Sequence, residues 1–306
     1  MGDPQLPRIA ARGVIVRALL GRARKYRSGR AAAIIAAACL LSAGPGAARP
    51  LDEVKASNLL RVVVYEDNRP FSWTDRGVVK GIEAEIARRL ARKLGVEVEI
   101  LARMQGEEVD DDLRANIWRG PLTGGAVGDV MLHVPIDREL VIRNKEAVMG
   151  QPYYEQRISI AVDTARTGEN PPLDVFKREK IGVQLGTVAD YFLMFHEGGA
   201  LRPNIGHFLK PADGLARFVG KEFAGLMGVR SHIEGLLYEK GVQSAFAEPP
   251  MPGIVRSRWP LGIAVKENSR DLYYAVGNLL AEMQSSGELT EIFKSYGVTY
   301  VQPEIK

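Results

Sequence analysis

The chain has 306 residues, 46% of them hydrophobic, with a formal net charge of +4 and an isoelectric point near 9.1. That length is enough for two ordinary domains. The positive charge does not argue for a nucleic-acid partner: residues 1–30 hold eight of the 41 basic side chains and one of the 37 acidic ones, which leaves 33 basic and 36 acidic residues, net −3, for the rest of the chain.

The chain opens on a leader. RKYRSGR (24–30) is cationic, an apolar run follows from Ala31 to Ala43, and Gly46-Ala47-Ala48 closes it with small residues. This is the layout of a secretory signal peptide cut after Ala48, so that residues 1–48 are removed and the mature chain begins at Arg49. The apolar run is short for a retained transmembrane anchor. The one cysteine, Cys39, lies in this leader. It only faintly suggests a lipid-attachment site, and the mature chain has no thiol for disulfides, nucleophilic catalysis or metal binding.

From Leu60 the pattern is α/β. LRVVVY (60–65) reads as a buried strand, and GIEAEIARRLARKL (81–94) sets Ile82, Ile86, Leu90 and Leu94 on one helical face. VEVEIL (96–101) alternates as a strand and completes a βαβ unit. A short helix is expected near Leu113–Trp118, then the Gly-rich loop GPLTGGAVG, then a strand in DVMLHV (129–134). After QPYYEQRISIAVD the pattern restarts with strands in 181–185, 205–209 and 223–229, alternating with helices in 188–195, 213–220 and 232–240. WPLGIAVKENS supplies a last strand, and helices over 271–284 and 289–296 end the chain. Two α/β lobes joined by two extended segments predict a cleft, with ligands beyond the carboxyl ends of the strands.

The corner GVQLGTVADY (182–191) lies at such an end. Gly186-Thr187 is read in two ways. It is a tight turn with a helix cap, or it offers uncapped N–H groups and a helix dipole to an anion.

In this order, LRVVVYEDNRPFSW, VVKGIEAEIARRLARKLGVEVEI, GDVMLHV with PYY beginning 23 residues after Asp129, IGVQLGTVADY and PLGIAVKENSRDLYYAVGNLLAEMQSSGELTEIFKSYGV resemble the family-3 extracellular solute-binding proteins over residues 58–298. These are the periplasmic receptors of polar amino-acid-type ABC transporters. The resemblance implies an α/β, type II periplasmic-binding-protein-like Venus flytrap. Lobe 1 would be 49–160 with 264–306 and lobe 2 would be 161–263, joined by two crossovers.

The resemblance also implies ligand contacts. Aromatic faces come from Tyr65, Phe71 and Trp73. In place of the family's hydroxyls stand Leu132, His133, Val134 and Pro135, and Arg138 or Arg143 takes the role of a carboxylate-gripping arginine. Gly186, Thr187 and Val188 inherit the helix-end contact. The family's ammonium-binding aspartate falls at Gly228, with Arg230 nearby, so a plain α-amino acid is not the expected ligand, and Tyr153, Tyr154 and His133 instead suit an anionic, hydroxylated or aromatic molecule.

No catalytic set emerges. His133, His196, His207 and His232 have no metal-ligand spacing, and there is no Gly-Lys-Ser/Thr phosphate loop and no G-x-S-x-G elbow. The expected function is a periplasmic solute-binding protein, not an enzyme. It captures a small polar or anionic solute for an inner-membrane ABC permease, as a monomer, without metal, cofactor or nucleic acid. Two alternatives remain open. One is an accessory protein of a periplasmic quinoprotein dehydrogenase, because Val134-Pro135 and Pro152-Tyr153-Tyr154 resemble that subgroup. The other is a cyclohexadienyl or arogenate dehydratase on the same fold, with Glu66, Glu155 or Glu267 as the acid.

Overall fold

The computed structural model describes residues 48–122, 124–254 and 256–304. The expected signal peptide, with Cys39, lies outside them except for Ala48. Among the described residues no helix is long and apolar enough to cross a membrane.

Helix α1 (Leu51–Ala56) precedes strand β1 (Leu59–Tyr65). The segment expected as a loop after β1 forms a small antiparallel sheet of β2 (Asp67–Asn68), β3 (Ser72–Asp75) and β4 (Val78–Lys80). Helix α2 (Ile82–Leu94) follows, its buried face made by Ile82, Ile86 and Leu90 as the four-residue spacing requires. Gly95 ends it in the left-handed region at φ 76°. Strand β5 (Glu97–Arg103) pairs with β1 in parallel. Helix α3 (Val109–Leu113) starts earlier than the apolar pattern suggested, because three aspartates fill its first turn and favour a helix N-terminus; a π turn (Arg114–Trp118) continues it. Strand β6 (Val130–Pro135), helix α4 (Arg138–Arg143) and the 16-residue strand β7 (Ala147–Val162) complete this half.

The second half runs α5 (Thr164–Thr167), β8 (Ile181–Gln184), α6 (Val188–Phe195), β9 (Ile205–Phe208), α7 (Pro211–Val219), β10 (Gly225–Val229), α8 (Arg230–Glu239) and β11 (Ala245–Ala247). Strand β12 (Arg258–Lys266) returns to the first half, and α9 (Arg270–Ser285) and α10 (Glu288–Ser295) pack there.

The large sheet has the order β5-β1-β6-β12-β7-β10-β8-β9, with β11 beside β7. Strand β7 serves both halves: residues 147–157 pair with β12, and residues 158–162 pair with β10 and β11. Each half has apolar clusters on both sheet faces, the three-layer arrangement that buries a parallel sheet. This is the bilobal α/β architecture the sequence led us to expect. In each half the connections diverge at one point of the sheet. After β1 the chain turns toward β5 and after β6 the other way; after β8 it turns toward β9 and after β10 back toward β11. The crevices beyond β1/β6 and beyond β8/β10 are where such sheets bind ligands.

Candidate functional site

At the first crevice, β6 does not run straight. Gly262 pairs with Val134 and Ala264 with Met131, so Leu132 and His133 oppose Ile263 alone. This bulge holds His133 at φ 61° and turns its side chain out of the strand's alternation. A second irregularity sits on the other side of β12, where Leu261 pairs with Tyr154 and Ile263 with Gly150, leaving Gln151, Pro152 and Tyr153 extra. The two bulges flank Gly262, where a Cβ would lie 2.2 Å from the Gly150 carbonyl oxygen; only glycine lets the backbones approach this closely.

Together the bulges bring His133 and Tyr153 to Glu83, in the first turn of α2. Glu83 is fully buried. Its Oε1 lies 2.6 Å from His133 Nδ1 and accepts the Tyr153 hydroxyl at 2.5 Å, while the His133 backbone N–H donates to that hydroxyl oxygen at 3.1 Å. Asn68 Nδ2 stands 3.2 Å from His133 Nε2. A ring protonated on Nδ1 therefore donates to Glu83 and accepts from Asn68. Burial and the Glu83 charge push the Tyr153 hydroxyl well above its ordinary range, which keeps it a donor.

The three expected aromatics fare differently. Tyr65 is buried at the end of β1; its hydroxyl donates to Asp112 Oδ2 at 2.7 Å and its ring meets His133 edge-on at 5.7 Å. Phe71 is fully buried, 4.7 Å from the His133 ring and 5.9 Å from the His232 ring of α8. It thus links the two crevices. Trp73 belongs to the small sheet, stacked under Arg69 at 4.2 Å and against Tyr296 at 5.9 Å, and these contacts do not bring it to the cluster.

The expected arginines are spread out. Arg143 is exposed and pairs with Asp110 at 2.9 Å. Arg230 is held by Glu234 at 2.9 Å and Glu248 at 3.0 Å, over the Phe246 ring. Arg138 lines a separate cavity with Glu155 and Trp259. Glu155 is itself paired with Arg157 at 2.9 Å and Glu267 with Arg270 at 3.1 Å. Neither is a free acid.

At the second crevice Gly186 turns at φ 77°, which suits glycine, and Val188 is half exposed. Thr187 caps α6: its hydroxyl oxygen accepts from the Asp190 N–H at 3.3 Å and its proton goes to the Gln184 carbonyl at 2.8 Å. Asp190 closes the turn reciprocally, with Oδ2 accepting the Gly186 N–H at 2.8 Å and Oδ1 bonded to His207 Nε2 at 2.8 Å. A carboxylate of the chain thus already stands at the positive helix end. We expect Thr187→Ala to lower stability by about 1 kcal/mol, the usual worth of a cap, in urea denaturation. An unmoved midpoint would mean that Asp190 alone ends the helix.

Sequence reasoning named Tyr153 and His133 together as ligand-side residues, but it passed over Glu83 as their common partner and His232 as a cavity residue. His232 lines a cavity of about 170 Å³ with Thr187, Val188, Met227, Gly228 and Trp259. Its Nε2 is buried without a partner among the described residues, although other atoms of the residue keep some exposure. Burial, with His133 nearby, lowers its pKa to about 4. Among the described residues no group of three or more His, Cys, Asp and Glu side chains is placed to hold a metal.

No family model matches the sequence. The chain is 28% identical over 251 residues to the L-cystine-binding protein TcyJ of Escherichia coli (strain K12), covering 80% of this chain and 85% of that protein. It is 24% identical over 284 residues to the probable amino-acid ABC transporter periplasmic-binding protein y4tE of Sinorhizobium fredii (strain NBRC 101917 / NGR234), covering 90% and 89%. Among solved structures, an ancestral cationic amino acid solute binding protein superposes with a TM-score of 0.63 at 22% identity, over 81% of this chain and 99% of that one. An amino acid ABC transporter substrate-binding protein from Streptococcus pneumoniae, bound to L-arginine, gives 0.54 at 20% identity, over 82% and 99%. Along most of its length the chain is thus similar to periplasmic binding proteins of amino-acid ABC transporters, and its bilobal sheet with paired crevices has the fold of the solved ones.

Proposed function

We propose that the protein is a periplasmic solute-binding protein that captures a small polar or anionic solute between its two lobes by hinge closure and delivers it to an inner-membrane ABC permease, acting as a monomer. The observation that carries this reading is the pair of crevices joined through Phe71, with His133 on one side and His232 on the other. Strands β7 and β12 are the only crossings between the sheet halves among the described residues, which suits a hinge between lobe 1 (49–160 and 264–306) and lobe 2 (161–263). Helix α8 supplies a docking contact across that hinge, through Arg69–Glu239 at 3.0 Å and Thr299 to Glu234 at 2.8 Å.

Binding fits better than catalysis, because both nitrogens of His133 and the Oε1 of Glu83 are committed to one another's network. A cut after Ala48 fits the contacts of Arg49: its backbone N lies 3.3 Å from Asp129 Oδ1, so the new ammonium would stand against a buried carboxylate. The relatives named above, one for L-cystine and one for amino acids, support the transporter role and the periplasmic site.

A thermal-shift screen over amino acids, small carboxylates and sugars tests this, read together with small-angle scattering. A cognate solute at a hundred times its Kd should add about 2.7 kcal/mol and shrink the radius of gyration. Stabilisation with no change in dimensions would contradict capture by closure.

A further inference from the structure

The cavity beyond β8 and β10 has a chemistry of its own. Among the described residues that line it there is no Asp, Glu, Lys or Arg. Its walls are Val188, Phe208, Met227, Ile233 and Trp259, with Gly228 adding no side chain. An ion placed among such walls loses its hydration without gaining a charged partner. The volume of about 170 Å³ slightly exceeds the roughly 150 Å³ of a cavity known to take up benzene, so a group of phenyl size fits. One polar atom stands out here. His232 lines the cavity, and its Nε2 is buried without a partner among the described residues. An imidazole at a cavity wall calls for a hydrogen bond through its accessible part, and a hydroxyl satisfies either tautomer because it both donates and accepts.

We propose that this cavity receives the uncharged end of the solute, a ring or branched alkyl group of about phenyl size whose hydroxyl bonds the His232 ring, and that any charge on the solute stays at the lobe 1 edge. The inference rests on the solute-binding reading above. It narrows the substrate class to molecules with a neutral, hydroxylated apolar end.

The test uses p-cresol and toluene, two probes of similar size that differ in the hydroxyl. Tryptophan fluorescence reports binding because Trp259 lines the cavity. We expect p-cresol to give a saturable change that Trp259→Phe removes, and toluene to bind roughly ten-fold more weakly. His232→Phe should bring p-cresol down to the toluene level. Val188→Trp, at a half-exposed position where a larger side chain does not disturb the core, should block both probes. No saturable response to p-cresol, or equal affinity for the two probes, overturns the proposal. L-arginine, L-glutamate and L-cystine are run in parallel with scattering. If one of them closes the lobes while p-cresol does not bind, the solute-binding reading stands and this inference falls. If p-cresol binds through His232 while no compound changes the scattering, the site stands and capture by closure falls.

Discussion

Gly81→Ala should lower stability by about 3 kcal/mol and weaken ligand binding along with it, an unusually large effect for adding one methyl group. Gly81 precedes α2 at φ 117°, a backbone conformation that side chains rarely adopt. A Cβ there would lie 2.3 Å from the Phe71 carbonyl oxygen and 2.8 Å from the Ser72 Cα. Both are backbone atoms, so no side chain can swing aside. The crowding exists because the 70–71 backbone caps the helix: the N–H groups of Ile82 and Glu83 donate to the carbonyls of Pro70 and Phe71 at 3.1 and 2.8 Å. Those two bonds also fix Phe71 between His133 and His232, and Glu83 under His133. Relief of the clash therefore moves the site as well as the fold. Urea denaturation checks the first effect and calorimetry with a solute found in the screen checks the second. A variant within about 0.5 kcal/mol of the wild type would show that the 68–72 segment yields easily, and that it does not set the geometry of the cluster.

What could be read from the sequence follows from the range of the forces involved. The strands and helices of both halves announce themselves through periodicity, because burial of one face is a local pattern; Ile82, Ile86 and Leu90 all end up in one apolar cluster. The Gly186-Thr187 corner was also legible as a corner. Its cap was partly so: Thr187 and Asp190 stand at the spacing of a reciprocal capping pair, which favours the local reading of that stretch.

The His133 cluster was not legible. Its members are 50 and 70 residues apart along the chain, and two bulges, one opposite Ile263 and one opposite Gly262, bring them together. A bulge depends on which strand lies opposite, and one sequence carries no record of pairing register. Glu83 was hidden for a related reason. Its place in the first turn of an amphipathic helix reads as a solvated acid suited to the dipole, yet it is completely buried with its carboxylate against His133 and Tyr153. The arginines show the opposite case. Arg143 and Arg230 have the chemistry to grip a carboxylate, but Asp110, Glu234 and Glu248 already supply those carboxylates from within the chain. Charge type is visible in a sequence; prior commitment of the charge is not.

His232 should make the protein acid-sensitive in a window that its surface carboxylates do not explain. Burial lowers its pKa from the ordinary 6.5 to about 4 in the folded chain, and His133 adds to the effect. Between these values the unfolded chain takes up a proton that the folded chain refuses, so protons favour unfolding. The stabilising contribution is complete above about pH 6.5 and is lost as the pH falls toward about 4. The full shift would be worth about 3 kcal/mol; because part of the residue remains exposed, about 2 kcal/mol is the expected loss. The carboxylates act mostly below this window, from their ordinary values of about 3.8 and 4.5 downward. Asp110, held low by Arg143, and Glu248, held low against its own burial by Arg157 and Arg230, lose stability as the pH falls, whereas Asp112, raised by burial, works the other way. These contributions are common to wild type and His232→Phe, so the difference between the two isolates the ring. Urea midpoints near pH 7.5 and near pH 4.5 should converge for the variant by about 2 kcal/mol relative to the wild type. At the higher pH the variant should be at least as stable, since it removes a buried nitrogen that has no partner. Equal losses in both proteins would mean that His232 takes up its proton without unfolding anything, and that the cavity admits enough water to hold a charge.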